Sequence, residues 1–278
     1  MLDELAFYAS PGPMTTLPPD IGDVPGDPAA VRLAVPNLMV HVAMAAGYGL
    51  PAPTVDARQT RTAEDLVREI RALDDRPLSE AREPAKRVGV VCRHFSTLSA
   101  AMLRQAGVPA RARCGFGTYF EAGKHVDHWI VEHHDGERWV RSDCQIDEGQ
   151  RRWFELDFDP DDMPAEAFLD AGEAWRRVRA GAADPETFGI FDMWGAWFIR
   201  ANVWRDLAAL NKIEMLPWDD WGTMGDADDP FTDAVADVAH AGDLAARIER
   251  YHDDALRMAG RVTSYTDAGP REVDVPVA

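Results

Sequence analysis

The 278-residue sequence predicts an α+β fold, and three observations carry that prediction. A short apolar run, Val88–Val91, leads into a stretch whose apolar residues Phe95, Leu98, Met102 and Leu103 recur at helical spacing. Three strand-like stretches follow at 110–119, 126–134 and 137–143, with Asp135-Gly136 as a hairpin turn. Beyond Arg151 the pattern becomes mostly helical.

Each element has a local reason. Residues 9–30 are rich in Pro, Gly and Asp and read as an irregular lead-in. From Pro28 to about Tyr48, the apolar residues Val31, Leu33, Val35, Leu38, Met39, Val42 and Ala43 suggest a buried helix. A second helix is expected from Thr62 to about Leu73, with Thr62 as N-cap and Asp65 completing a variant of the capping box. The helix after Val91 begins at or next to Cys92. Gly107 ends it, and Pro109 prevents its continuation. Later helices are expected over 164–179, 185–210 and 231–261, separated by breaks containing Pro and Gly. The middle one carries Phe188, Phe191, Trp194, Trp197, Phe198 and Trp204, which suits the core better than the lining of a cleft.

Composition narrows the partners. Hydrophobic residues make up 46% of the chain, as a packed globule requires, and the formal net charge is −19. The charge is uneven: −5 over residues 1–150 and −14 from 151 onward. Such acidity argues against nucleic acid, which needs clustered Lys and Arg, and against anionic membrane surfaces. A solvated acidic surface is the plain reading, and attraction of a cationic substrate or partner the sharper one. The opening MLDELAFYASPGPMTTLPPD lacks the basic and apolar regions of a signal peptide, and no run of 18 apolar residues occurs. Three widely spaced cysteines suit reduced thiols in a cytoplasmic setting.

No cofactor or metal is expected. His125, His128, His133 and His134, with Cys114 and Cys144, fit no compact zinc ligand set. The acidic stretches Asp219-Asp220 and Asp226–Asp229 lack the glycine and terminal glutamate of a calcium loop.

One constellation remains. Cys92 at a helix N-terminus would have its thiolate stabilised by the N–H groups and positive dipole end there. If Asp135-Gly136 is a two-residue turn, His134 faces Glu137, and His128 then lies directly across the ladder from Asp143 on the same face. A nucleophile, a base and a group that orients the base are what cysteine-dependent acyl transfer requires.

The residues around these three resemble the transglutaminase-like superfamily, of bacterial type. Gly89-Val90-Val91-Cys92-Arg93-His94-Phe95 is similar to its nucleophile segment. Leu103-Arg104 and Gly107-Val108-Pro109-Ala110-Arg111 are similar to the motifs that follow it. Asp127–Glu132 resembles its H-x-W-x-E strand, and Trp139–Asp143 its W-x-x-x-D strand. The resemblance spans about 87–147. It implies a papain-like core with Cys92 as nucleophile, His128 as base and acid, and Asp143 as orienter. His94 and Ser96 depart from the pattern, since many relatives carry an acidic and a small residue there. The Trp or Gln that helps hold the oxyanion in better-studied members has no assigned counterpart. The Cys92 backbone N–H is one donor candidate, and Gln59 is a candidate for the second.

The expected organisation is an irregular lead-in (1–30), a transglutaminase-like catalytic core (31–150) and a mainly helical extension packed on it (151–278). The expected function is cysteine-dependent acyl transfer on amide or peptide bonds through a thioester, with hydrolysis preferred over amine transfer. The substrate would be an amide-containing small molecule, peptide or protein. The alternatives are an amide-forming or crosslinking acyltransferase, and an inactive binding module on the same fold.

Overall fold

The structure is a computed structural model and describes residues 3–222, 230–253, 258 and 260–275. In chain order its helices are α1 (Glu4–Tyr8), α2 (Pro28–Ala34), α3 (Ala63–Leu73), α4 (Cys92–Gln105), α5 (Glu148–Trp153), α6 (Ala171–Arg179), α7 (Ala196–Leu210), α8 (Pro230–Ala241) and α9 (Leu244–Tyr251). Its strands are β1 (Met39–His41), β2 (Val88–Val90), β3 (Ala110–Gly117), β4 (His125–His134), β5 (Trp139–Ser142), β6 (Phe168–Asp170), β7 (Phe188–Ile190), β8 (Met193–Trp194), β9 (Asp219–Asp220), β10 (Arg261–Thr266) and β11 (Gly269–Asp274). The mixed α+β architecture is the one the sequence predicts. The largest sheet has the order β6-β3-β4-β7-β8, with β5 pairing to β4, and all its pairings but β4–β7 among those described are antiparallel. Among the described residues, no helix is long and apolar enough to cross a membrane.

Two compact units divide the chain. One holds residues 5–112 and 129–163 and is called here the Cys92 unit; the other holds 1–4, 113–128 and 164–278 and is called the His128 unit.

The Cys92 unit is built around α4. Phe95, Leu98, Ala101, Met102 and Leu103 of that helix are buried against Val31, Val35, Leu66, Val67 and Ile70. Thr62 caps α3 as its sequence requires: its Oγ1 accepts from the Asp65 backbone N at 3.1 Å and donates to the Asp65 carboxylate at 2.8 Å. β1 runs parallel to β2, pairing Met39 with Val88 and His41 with Val90. Gly89 must be glycine, because a Cβ there would lie 2.6 Å from the Pro53 ring.

Two expectations are corrected in this unit. Residues 28–48 do not form one helix. α2 stops at Ala34, a 3₁₀ turn follows over Val35–Asn37, and Met39–His41 pairs as a strand before a further 3₁₀ stretch, Val42–Tyr48. Pro36 carries no N–H to continue the helix, and β2 offers the next residues a better backbone partner. The β4–β5 register is also two residues from the expected one. His134 pairs with Trp139 and Val131 with Ser142, so Asp143 is not directly opposite His128. The cause is Asp135, whose Oδ1 accepts from the backbone N of Glu137 (2.8 Å) and Arg138 (2.9 Å), closing a four-residue loop. Gly136 takes φ +107° within it.

In the His128 unit β3 pairs antiparallel with β6 (Gly115 to Asp170, Gly117 to Phe168), and β4 pairs parallel with β7 (His125 to Phe188, Val126 to Gly189). Helices α6, α7, α8 and α9 pack on one another. α6 and α8 approach closely because position 172 is glycine; a Cβ there would lie 2.6 Å from the Ala236 carbonyl oxygen.

Here the helical expectation for residues 164–210 is too generous. Strands β6, β7 and β8 occupy Phe168–Asp170, Phe188–Ile190 and Met193–Trp194. Gly189 (φ +155°) and Gly195 (φ +117°) adopt backbone that no helix contains, and an added Cβ at Gly189 would meet the Met193 carbonyl. The aromatic residues separate accordingly. Phe188, Phe198 and Trp204 are buried, whereas Phe191 is 70% and Trp197 53% exposed. The expected helix over 231–261 breaks into α8 and α9 at Gly242-Asp243, where Asp243 caps α9 through the Ala246 N–H. Residues 254–257 and 259 of that stretch, and Asp226–Asp229, lie outside the described residues. The β10–β11 hairpin, pairing Arg261 with Asp274, was not expected.

Candidate active site

Val91 is extended (φ −119°, ψ 170°) and its side chain provides no cap, so α4 begins at Cys92 without a capping hydrogen bond from the residue before it. Cys92 is 5% exposed. The next two residues hold the helix start in place. Arg93 Nη2 donates to the Arg61 carbonyl at 2.6 Å, and His94 Nε2 lies 3.0 Å from the Thr60 carbonyl. Burial, followed by the Arg93 charge, pushes the His94 imidazole down to about 3. Gln59, the candidate second oxyanion donor, is the residue preceding this carbonyl pair.

The other motif residues have structural work. Arg104 Nε donates to the Ala110 carbonyl (2.8 Å) and Nη1 to Thr15 Oγ1 (2.8 Å), fastening the end of α4 to the start of β3. Arg111 Nε donates to Glu132 (2.8 Å), Arg141 donates to the same carboxylate (3.2 Å), and the Arg111 guanidinium lies 4.0 Å from the Trp139 ring centroid. The arginine of the G-V-P-A-R block and the glutamate of the H-x-W-x-E block thus form one buried ion pair.

Asp143 follows β5 directly and is 1% exposed. Its Oδ1 accepts from the Gln145 backbone N (2.9 Å), and its own N donates to the Pro160 carbonyl (2.9 Å), so both backbone and side chain are fixed. At neighbouring Cys144, burial pushes the thiol up to about 12, only partly offset by a hydrogen bond with Ser99. All three cysteines are thiols.

His128, 2% exposed, belongs to the His128 unit. The Phe120 ring lies 4.8 Å from its imidazole at 66°, and the Tyr119 ring 6.0 Å away at 85°. Asp127, on the neighbouring position of β4, accepts from Asn202 Nδ2 at 2.7 Å; its carboxyl is pushed up by burial. Of the three residues the sequence singled out, Cys92 and Asp143 share one unit and His128 lies in the other. The sequence reading missed Tyr119, Phe120 and the Asp127–Asn202 pair. An aromatic dipeptide in the loop before the histidine strand was the one available signal; Asn202 gave none.

A sequence profile of the transglutaminase-like superfamily matches residues 44–144, a span that includes Cys92, His128 and Asp143. The chain is similar to the crystal structure of a candidate cysteine protease from Cytophaga hutchinsonii, with 16% identity and a TM-score of 0.35 over 63% of this chain and 50% of that one. It therefore spans about half the length of that protein. No curated protein matches the chain. Residues 44–144 are a transglutaminase-like superfamily domain, in a superfamily whose enzymes typically use Cys, His and Asp.

Proposed function

We propose that this protein is a cysteine-dependent amidase or peptidase working through a thioester, with Cys92 as nucleophile, His128 as base and acid, and Asp143 as orienter. The observation that carries the reading is Cys92 as first residue of a 14-residue helix entered directly from a strand, inside the matched span. That position favours a thiolate through the N-terminal N–H groups and the dipole. The fixed, buried Asp143 supports its role as orienter.

In the reaction, the Cys92 thiolate attacks the amide carbonyl carbon, and the backbone N–H of Cys92 donates to the oxyanion. His128 gives a proton to the departing nitrogen as the C–N bond breaks, leaving the thioester. Water then attacks the thioester, His128 takes its proton, and the acid and thiolate are released. An amine in place of water gives transfer by the same steps. Hydrolysis is preferred because water is always at hand.

The test is Cys92→Ala. It should abolish turnover and the acyl-enzyme seen by mass spectrometry while leaving the circular dichroism spectrum unchanged. A fully active variant overturns the reading.

A further inference from the structure

We propose that Tyr119 and Phe120 form the wall of a substrate subsite beside His128, one that takes an aromatic or branched apolar group flanking the scissile amide. The proposal rests on the reading of Cys92 and His128 as the reacting pair.

The two rings lie 4.4 Å apart, and both approach the imidazole edge-on, Phe120 at 4.8 Å and Tyr119 at 6.0 Å. The imidazole is buried, yet both rings are only half-buried. They are thus apolar surface, partly open to solvent, next to the group that moves the proton. Core packing alone does not require large aromatic side chains in a connecting loop.

The loop is built to present them. Thr118 fastens its start, with N donating to the Ala167 carbonyl (3.1 Å) and Oγ1 to the Glu166 carbonyl (3.0 Å). Lys124 fastens its end, with Nζ donating to the Glu186 carbonyl (3.2 Å) and lying 4.4 Å from the Trp194 ring centroid. Beneath the rings is Gly117. A Cβ there would lie 2.8 Å from Phe120 Cε2 and 3.2 Å from Tyr119 Cε1, so the rings occupy the space that only glycine leaves. Two uncharged rings favour an apolar group, and the formal charge of −19 disfavours an anionic one.

Two alkylating reagents read the subsite without a known substrate: iodoacetamide and N-benzyl-iodoacetamide. In both, the Cys92 sulfur bonds to the methylene carbon and iodide leaves. Native protein should react with the benzyl reagent about tenfold faster, as measured by peptide mass spectrometry. Phe120→Ala should bring the ratio of the two rates close to one. Gly117→Ala, which displaces both rings, should reduce the ratio, and Phe120→Leu should keep most of it. A ratio near one in native protein, or one unchanged in Phe120→Ala, overturns the subsite. Rings that only position the imidazole would slow both reagents in parallel and leave the ratio unchanged. A Cys92 that reacts with either reagent no faster than Cys144 overturns the catalytic reading itself, and the subsite with it.

Discussion

His94 places a fully buried imidazole between two backbone carbonyls, Val91 at 3.3 Å and Thr60 at 3.0 Å. A neutral ring has one N–H and can donate to only one of them. Burial and the adjacent Arg93 nevertheless hold its pKa at about 3, below the ordinary 6.5. The unfolded chain binds a proton near pH 6.5 that the native ring refuses until near pH 3. Stability from this group is therefore complete above 6.5 and is lost as the pH falls, by roughly 1 kcal/mol per unit. The urea midpoint should drop between pH 7 and 5, and His94→Gln should flatten that slope; an equal slope in the variant assigns it to other groups. Cys92 and the Thr62 cap were legible in the sequence because helix starts are decided by neighbours along the chain. The Arg111–Glu132 pair was not, although both residues lie in recognised motifs. Its partners are 21 positions apart, and only strand pairing reveals them.

Elements show the same limit at the next scale. The strand before Cys92, its helix and the three strands after it were read correctly, since each satisfies its own periodicity. The hairpin register depended on how Asp135 closes the turn, and that carboxylate chose a loop two residues longer. β6, β7 and β8 were read as helix because short apolar runs carry too few residues to separate the two periods. One device holds these elements together. Asp170 ends β6, caps α6 through the Glu173 N–H (2.9 Å), and meets His240 Nδ1 of α8 at 3.0 Å. Burial alone would raise the Asp170 carboxyl, but Arg113 and then His240 bring it down to about 2. Its stability is present above the ordinary carboxylate range and is lost as the pH falls toward 2. His240 is raised, chiefly by its hydrogen bond to Asp170, so its contribution is present below 6.5 and fades as the pH climbs through the raised value. His240→Ala should therefore cost about 1 kcal/mol at pH 5.5 and less at pH 8, measured by urea unfolding. An equal loss at both pH values would mean that packing, not charge, joins α6 to α8.

For the whole molecule, the charge was the plainest reading: −19 overall, with a sequence pI near 4.7. Like charges repel across a folded surface, and salt screens them over about 10 Å at 0.1 M. Raising sodium chloride from 0.02 to 0.3 M should lift the melting midpoint by about 2–4 °C; a midpoint that falls instead would mean that attractive ion pairs such as Arg32–Asp161 outweigh the repulsion. Which segments gather into which unit was not legible, because local patterning says nothing about which distant stretches a segment will join. The chain passes between its two units four times, at 4/5, 112/113, 128/129 and 163/164. The halves are therefore interlaced rather than strung in series. Cutting the gene after codon 163 would leave residues 113–128 without Leu169, Asp170 or Asp206 to bind. Recombination could not swap one half for another in a single exchange, since three separated stretches would have to change together. Cys92 and His128 therefore belong to two units that can be exchanged only together.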